Sequence, residues 1–394
     1  MSDKAFITPK VFKWARETAR LTVDAAAAKV NVVATKITEW EEGISQPTVK
    51  QAETLAKAYR RPLAVLFLPD PPLDFQPLQD FRRKSAKSLG TASTFIIREI
   101  QQKQAWIKEL NEENGEPKLP FVGSFSLQSN PEKVANNMLE TLEIDPLRYT
   151  TDSPVREWVK KAESKGIFVS RTSFIHSRLK LDSEELQGFS IADEYAPFVF
   201  VNSDDWDAPQ LFTLVHELAH IWIAATGISS DIEPELKQRD KLHPIEIFCN
   251  QVAANALIPT SVIKNFENSV FNSSATVFST AKKMGVSSFA LLYRAFSLEL
   301  ISAEKYRKLK KDADTDFKAF LVFEAEKKAK LKERQKEKPG GPSYYMLLAN
   351  KNSHLFTRVV MDAFRGGFIQ PTQASNLLST QVNNFPKLEA WLYK

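Results

Sequence analysis

His216, Glu217 and His220 stand in residues 211–226, LFTLVHELAHIWIAAT, where almost everything else is apolar. Residues four apart share one face of a helix. Two imidazoles so placed chelate one metal ion through neutral ring nitrogens, and a glutamate beside them handles a proton. Thr213 joins them in an i, i+3, i+4, i+7 stripe on an oily cylinder. Burying such groups unpaired is costly, so the stripe is predicted to line a cleft and to hold something. Ala224, a turn further on, is expected to keep that cleft open.

Two histidines are an incomplete site, because a catalytic zinc usually takes three protein ligands and a water. The third is expected from a second apolar helix over residues 244–257, which reads PIEIFCNQVAANAL. It places Glu246, Cys249 or Asn250, Ala253 and Leu257 on one face. Glu246 follows His220 by 26 residues, room enough for an antiparallel return, and Ala253 and Ala254 allow close helix approach. Asn250, one turn from Glu246, is the candidate that hydrogen-bonds and orients a ligand.

Blander readings stand beside this one. An HExxH pattern also arises by chance, but Glu246 on a second apolar helix makes chance the lesser reading. A structural zinc usually closes with four protein ligands. Cys249 reads better as a small buried hydrophobe than as a ligand. His243 reads as a surface-loop histidine, with oxyanion stabilisation as its sharper alternative. His176 and His354 have no constellation around them.

HELAH with EIFCNQVAANALIP, led in by GFSIADEYAPFVFVNSDDWDAPQLFTLV, resembles the ImmA/IrrE family of zinc metallo-endopeptidases over about residues 186–259. The resemblance implies His216, His220 and Glu246 as Zn2+ ligands and Glu217 as catalytic base. It also implies a protein substrate, a helix-turn-helix repressor whose cleavage releases prophage, mobile-element or stress genes. The chain departs from the family at Asn255, where an acidic residue is expected, and at Cys249, where alanine is commoner. Neither position is an expected ligand. Zinc would polarise the scissile carbonyl and bring the pKa of its water to about 7. An extended peptide is expected to pair with the edge of PFVFVN, residues 197–202.

The bulk numbers set the frame. A chain of 394 residues, 43% hydrophobic with 27 Phe, has material for two or three domains. Net charge is +5, which permits nucleic acid without demanding it. A single cysteine excludes an internal disulfide and fits a reducing compartment. MSDKAFITPK lacks the apolar core of a signal peptide, and the charged centre of residues 211–226 argues against membrane insertion. The expectation is a cytoplasmic protein with no membrane partner.

The expected class is α+β. A mostly helical, zincin-like domain with a small sheet over 151–265 follows an all-α helix-turn-helix domain over 1–68. Residues 69–150 read as a Pro-rich linker and helical region. Then come a second helix-turn-helix-like unit (270–310), a charged helix and linker (311–342) and a C-terminal helical region (343–394). Strands are predicted at 166–170, 186–191 and 197–202.

Residues 22–43, TVDAAAAKVNVVATKITEWEEG, resemble the phage-repressor (Xre-type) helix-turn-helix. Ile37 and Trp40 would face the core, leaving Ala34 and the candidate DNA contacts Thr35, Lys36 and Glu39 outward. A recognition helix favours donors in the major groove, yet this one sets Glu39, Glu41 and Glu42 against Lys36. Over residues 1–70, 11 Lys and Arg face 8 Asp and Glu. DNA is therefore one expected partner of this module, and protein docking is the other. The rival to the enzyme as a whole is a DNA-binding regulator or toxin–antitoxin component whose zinc site is inactive or regulatory. Glu217 separates the two, since a pure binder has no use for it.

Overall fold

The computed structural model describes residues 3–73, 77–81, 87–150, 153–176, 179–229, 243–337 and 343–393. The chain divides into two compact units. One comprises Met1–Pro77, Lys87–Gln102 and Phe174–Glu185; the other comprises Leu78–Ala86, Lys103–Ser173 and Leu186–Lys394.

The first unit opens with α1 (Pro9–Thr18), α2 (Val23–Val30), α3 (Ala34–Glu41) and α4 (Val49–Ala58). A short 3-10 turn, Leu63–Phe67, follows Pro62. Thr22 accepts the Ala25 N–H at 3.1 Å and starts α2. Thr48 and Gln51 form a reciprocal capping box that starts α4. Asn31 ends α2 in the left-handed region, and Gly43, at φ 76°, takes the chain out of α3. Phe12, Ile37, Trp40, Leu55 and Tyr59 fill the centre of these helices. Arg16 is buried with them and bonds Glu41 twice, at 2.5 and 3.0 Å, and the Leu21 carbonyl at 2.8 Å.

Seven strands occur among the described residues: β1 (Gln79–Asp80), β2 (Phe168–Thr172), β3 (Phe174–His176), β4 (Leu179–Lys180), β5 (Gly188–Ile191), β6 (Phe198–Asn202) and β7 (Gly227–Ser229). β3 and β4 form an antiparallel ribbon in the first unit. The other five form one sheet in the second unit, in the order β1-β7-β5-β6-β2. The β2–β6 and β1–β7 pairs are parallel; β5 is antiparallel to both β6 and β7.

The helices of this unit up to α9 are the second half of α5 (Thr91–Glu113), α6 (Pro131–Leu142), α7 (Pro154–Ser164), α8 (Asp207–Trp222) and α9 (Pro244–Leu257). α7 packs on β2 and α8 on β5 and β6, with α9 laid against α6 and α8. After α9 the chain forms α10 (Thr260–Ile263), α11 (Ser274–Met284), α12 (Ser288–Ser297) and α13 (Ala303–Glu337). It ends in α14 (Tyr344–Asn352), α15 (His354–Arg365), α16 (Pro371–Leu378) and α17 (Phe385–Leu392). The architecture is mostly helical with a small mixed sheet. No described helix is long and apolar enough to cross a membrane.

Four expectations change. β6 is not an edge: β5 bonds one side of it and β2 the other, so PFVFVN has no flank to offer a peptide. β2 begins at Phe168 rather than Gly166, because Gly166 sits at φ 87° and closes the turn after α7. Ala224 lies beyond the end of α8, at φ 51°, so the chain has left the helix before the stripe reaches it. The charged helix expected within 311–342 starts earlier, at Ala303, where the Ser302 hydroxyl accepts the Lys305 N–H at 3.2 Å. The linker expected after it, residues 338–342, falls outside the described residues.

Candidate metal centre

α8 is buried on every side from Gln210 to Trp222, as expected for a helix apolar all round. Leu211, Leu214, Val215 and Leu218 belong to the core of the second unit. At its end Trp222 stacks on Phe121 with ring centroids 4.7 Å apart and donates to Asn137 Oδ1 at 2.9 Å. α9 begins with His243 as N-cap and Pro244 in the first turn. It packs along α8, with Cys249, Val252, Ala253 and Ala256 fully buried and Glu246 and Asn250 nearly so. The small side chains at 253 and 256 bring polar groups of the two helices into reach of one another.

His216, Glu217 and His220 are 0% exposed and Glu246 is 1% exposed. His216 Nε2 and His220 Nε2 lie 3.0 Å apart. Glu246 Oε2 is 3.3 Å from His216 Nε2, and Glu246 Oε1 is 3.2 Å from His220 Nε2. One ligand atom from each of the three residues falls within a 4.8 Å cluster. Asn250 stands behind it, its Oδ1 accepting the His216 Nδ1 hydrogen at 3.0 Å. That bond leaves His216 Nε2 as a bare lone pair aimed into the cluster.

The donor set fits a metal ion for a physical reason. Lone pairs from two imidazoles and a carboxylate converge where no protein hydrogen is available to satisfy them all. Glu246 Oε2 has no hydrogen-bond partner, although Ser229 Oγ reaches Glu246 Oε1 and His220 Nε2, each at 3.3 Å. Burial alone would raise the Glu246 carboxyl, and positive charge or N–H hydrogens carried by the His216 and His220 rings hold it instead well below the usual carboxylate range. With those rings neutral, only a bound cation can play that part. A buried anion facing nitrogen lone pairs calls for a cation.

Glu217 stands apart from this triad. Neither of its carboxylate oxygens makes a hydrogen bond of ordinary geometry, although the Ser190 and Ser229 hydroxyls face it. Burial pushes its carboxyl up to about 8, with His220 opposing and the Glu246 charge adding to the rise. Space for it comes from β5, because a Cβ at Gly188 would sit 2.9 Å from Glu217 Oε1 and 2.8 Å from the Thr213 methyl. Thr213 therefore packs where the stripe placed it, and the glycine opposite sets how closely the sheet approaches α8.

Sequence reasoning brought His216, His220, Glu246 and Asn250 to one place and missed four residues around them. Ser229, Gly188 and Gly227 come from the sheet, and Phe81 comes from far upstream. The Phe81 ring stacks on His220 with centroids 5.5 Å apart and planes 11° from parallel. It also lies 5.1 Å from the His243 ring. The glycine of GFSI was a readable signal for close packing; Phe81 carried none.

The remaining candidates fall elsewhere. Cys249 is an apolar filler of the core, its thiol pushed up by burial. Asn255 accepts from Arg294 Nη2 at 2.5 Å. His354 lies among the C-terminal helices with Asn350 and Trp391, and the side chain of His176 is outside what is described. On α3, Thr35 and Lys36 are exposed; Lys36 Nζ is 2.6 Å from Glu39, which also accepts from Ser45 at 2.9 Å.

Residues 162–296 match the family model described as the IrrE N-terminal-like domain, a peptidase family. The matched stretch contains His216, Glu217, His220, Glu246 and Asn250, and it supports a metallopeptidase of the ImmA/IrrE kind. No curated protein matches the chain significantly.

Proposed function

We propose that the chain is a zinc-dependent endopeptidase with His216, His220 and Glu246 as ligands and Glu217 as general base and acid. One observation carries the reading: a fully buried carboxyl group, faced by only the Ser190 and Ser229 hydroxyls and with no hydrogen bond of ordinary geometry, sits next to a His-His-Glu cluster. A structural or regulatory metal site would have no use for it. Two imidazoles, one carboxylate and an open fourth position are the usual catalytic zinc set. Zinc bound there would supply Lewis acidity toward a water and a scissile carbonyl. Glu217 then takes up the proton released as water attacks and passes it to the departing amine nitrogen. Asn250 keeps His216 in the tautomer that leaves Nε2 free.

The target proposed is a protein, and more narrowly a helix-turn-helix repressor. Cleavage would relieve repression of prophage, mobile-element or stress genes. A folded helix has its amides already paired, so the cut falls in a flexible or locally unfolded segment of the partner. Residues 1–68 would recruit that partner, a role supported by the repressor-like sequence of residues 22–43, which forms α2 and α3 either side of the turn at Asn31. The test is to express the chain with the repressor encoded beside it and follow the repressor's mass. Wild type should give two fragments, Glu217→Gln none, and a chain lacking residues 1–72 a slower cut. An intact repressor in the presence of zinc-loaded wild type would remove this partner.

A further inference from the structure

We propose that the flank of β7 beside His220 is the binding position for an extended substrate segment bearing an aromatic side chain, and that the chain's own Gln79–Phe81 fills that position at rest. The proposal rests on the peptidase reading and names where its substrate docks.

β7 is paired with β5 on one side; on its other side, among the described residues, lies the two-residue strand β1. Gln79 pairs with Gly227 and Asp80 with Ile228, and the Phe81 N–H donates to the Ile228 carbonyl at 3.0 Å. Gly227 is needed for this approach: a Cβ there would stand 2.2 Å from the Phe81 ring and 2.8 Å from the Gln79 carbonyl. Phe81 itself is 2% exposed, its ring held between the imidazoles of His220 and His243. Ser229, at the end of β7, bonds His220 and Glu246. The backbone flank, the ring slot and the ligand cluster are therefore contiguous.

A peptidase needs such a place, because the scissile carbonyl must arrive next to the ligands on a backbone held in extended form. As the chain stands, its own residues hold it. The ladder is short, because two residues of strand make few ladder bonds, and one buried ring anchors its end beside His220. A longer substrate strand with an aromatic side chain would make every contact that Gln79–Phe81 makes and more. The two strands compete for one flank.

The experiment uses the full chain, zinc-loaded and carrying Glu217→Gln so that nothing is cut. The probe is a short fluorescein-labelled peptide of small residues around one phenylalanine; its twin has alanine there. Removing the competing ring by Phe81→Ala should tighten binding of the phenylalanine peptide about tenfold or more, given what burial of one such ring is worth. The alanine twin should gain less. Without any change at Phe81, saturating peptide should speed amide hydrogen exchange at Phe81, because its bond to Ile228 is broken. Unchanged or weaker affinity in Phe81→Ala, no binding by either chain, or a Phe81 amide still protected under saturating peptide would overturn the docking site. Cleavage of unfolded casein by the chain with Glu217 intact reports on the peptidase reading separately. Casein cut with no competition at β7 sinks only the docking site; competition without cleavage sinks only the peptidase.

Discussion

In α8 and α9 four ionisable side chains are buried with bonds they cannot complete among themselves. In α1–α4 the buried charge of Arg16 is closed by Glu41 and the Leu21 carbonyl with no bond left to seek. Both regions put ionisable groups inside a helical core. The first is finished only by something added; in the second the ion pair closes on itself, although the Tyr59 hydroxyl in the same core stays unpaired. Unsatisfied convergence therefore marks a working site more sharply than burial or charge does. The same contrast holds on α3, where Lys36 and Glu39 satisfy each other.

The contrast breaks first at the ligands. Glu246→Ala should strip most of the metal, because two imidazoles alone are left, whereas wild type should hold close to one zinc per chain by elemental analysis. Adding zinc should raise the melting temperature of wild type and leave Glu246→Ala nearly unmoved, since a ligand stabilises only a state that binds it. Full zinc in Glu246→Ala would move the third ligand elsewhere. Glu217→Gln should keep the metal and lose about two to four orders of magnitude in turnover, the usual weight of general acid–base catalysis. A variant that keeps its rate would leave the site a binder.

Arg16→Ala tests the closed region. Arg16 and Glu41 are 10% and 6% exposed at their side chains, and breaking a buried pair strands the partner's charge at a cost of about 3 kcal/mol. Hydrogen exchange should quicken across α1–α4 while zinc content and cleavage of unfolded casein hold; cleavage of a partner recruited by this module should slow. Asn250→Ala is milder: it frees the His216 ring to turn and should weaken zinc binding about 10- to 100-fold in chelator competition. An unchanged affinity would mean that packing alone orients His216.

How much of this was legible follows the range of the interactions. α8 and α9 could be read because their polar residues recur at helical spacing, and α9 is bracketed by Pro244 and Pro259, so its predicted bounds coincide with the observed ones. His216, His220 and Glu246 then meet by geometry that two apolar helices impose. β6 was misplaced at an edge although its unbroken run FVFVN, buried at every position, is the pattern of a central strand. That signal was available. Phe81 was not, because nothing local to LQDFRR says that its ring will cross to His220. Ser229 and Gly227 were equally silent, since their roles exist only once the sheet has formed beside α9. Arg16 gave no sign that it would neutralise Glu41, which made α3 look more acidic outward than it is.

The smallest effect concerns α3, and it decides whether the first region is as inert as its bonds suggest. Glu41 is turned inward to Arg16, so the outward face carries Thr35, Lys36, Glu39 and Glu42. If this face meets DNA, phosphate contacts supply the affinity, which must then fall steeply with salt. Lys36 is partly spent on Glu39 at 2.6 Å, so its share is modest. Lys36→Glu should lower the slope of log affinity against log salt by about one and weaken all promoter sequences alike. Gel shifts of the full chain with Glu217→Gln at low salt would measure it. A full chain that shifts no fragment even there leaves α3 with nothing to do on DNA. The exposed Val33 and Ile44 at its two ends would then count toward docking of a protein, and recruitment of the substrate would be the remaining role of the first unit.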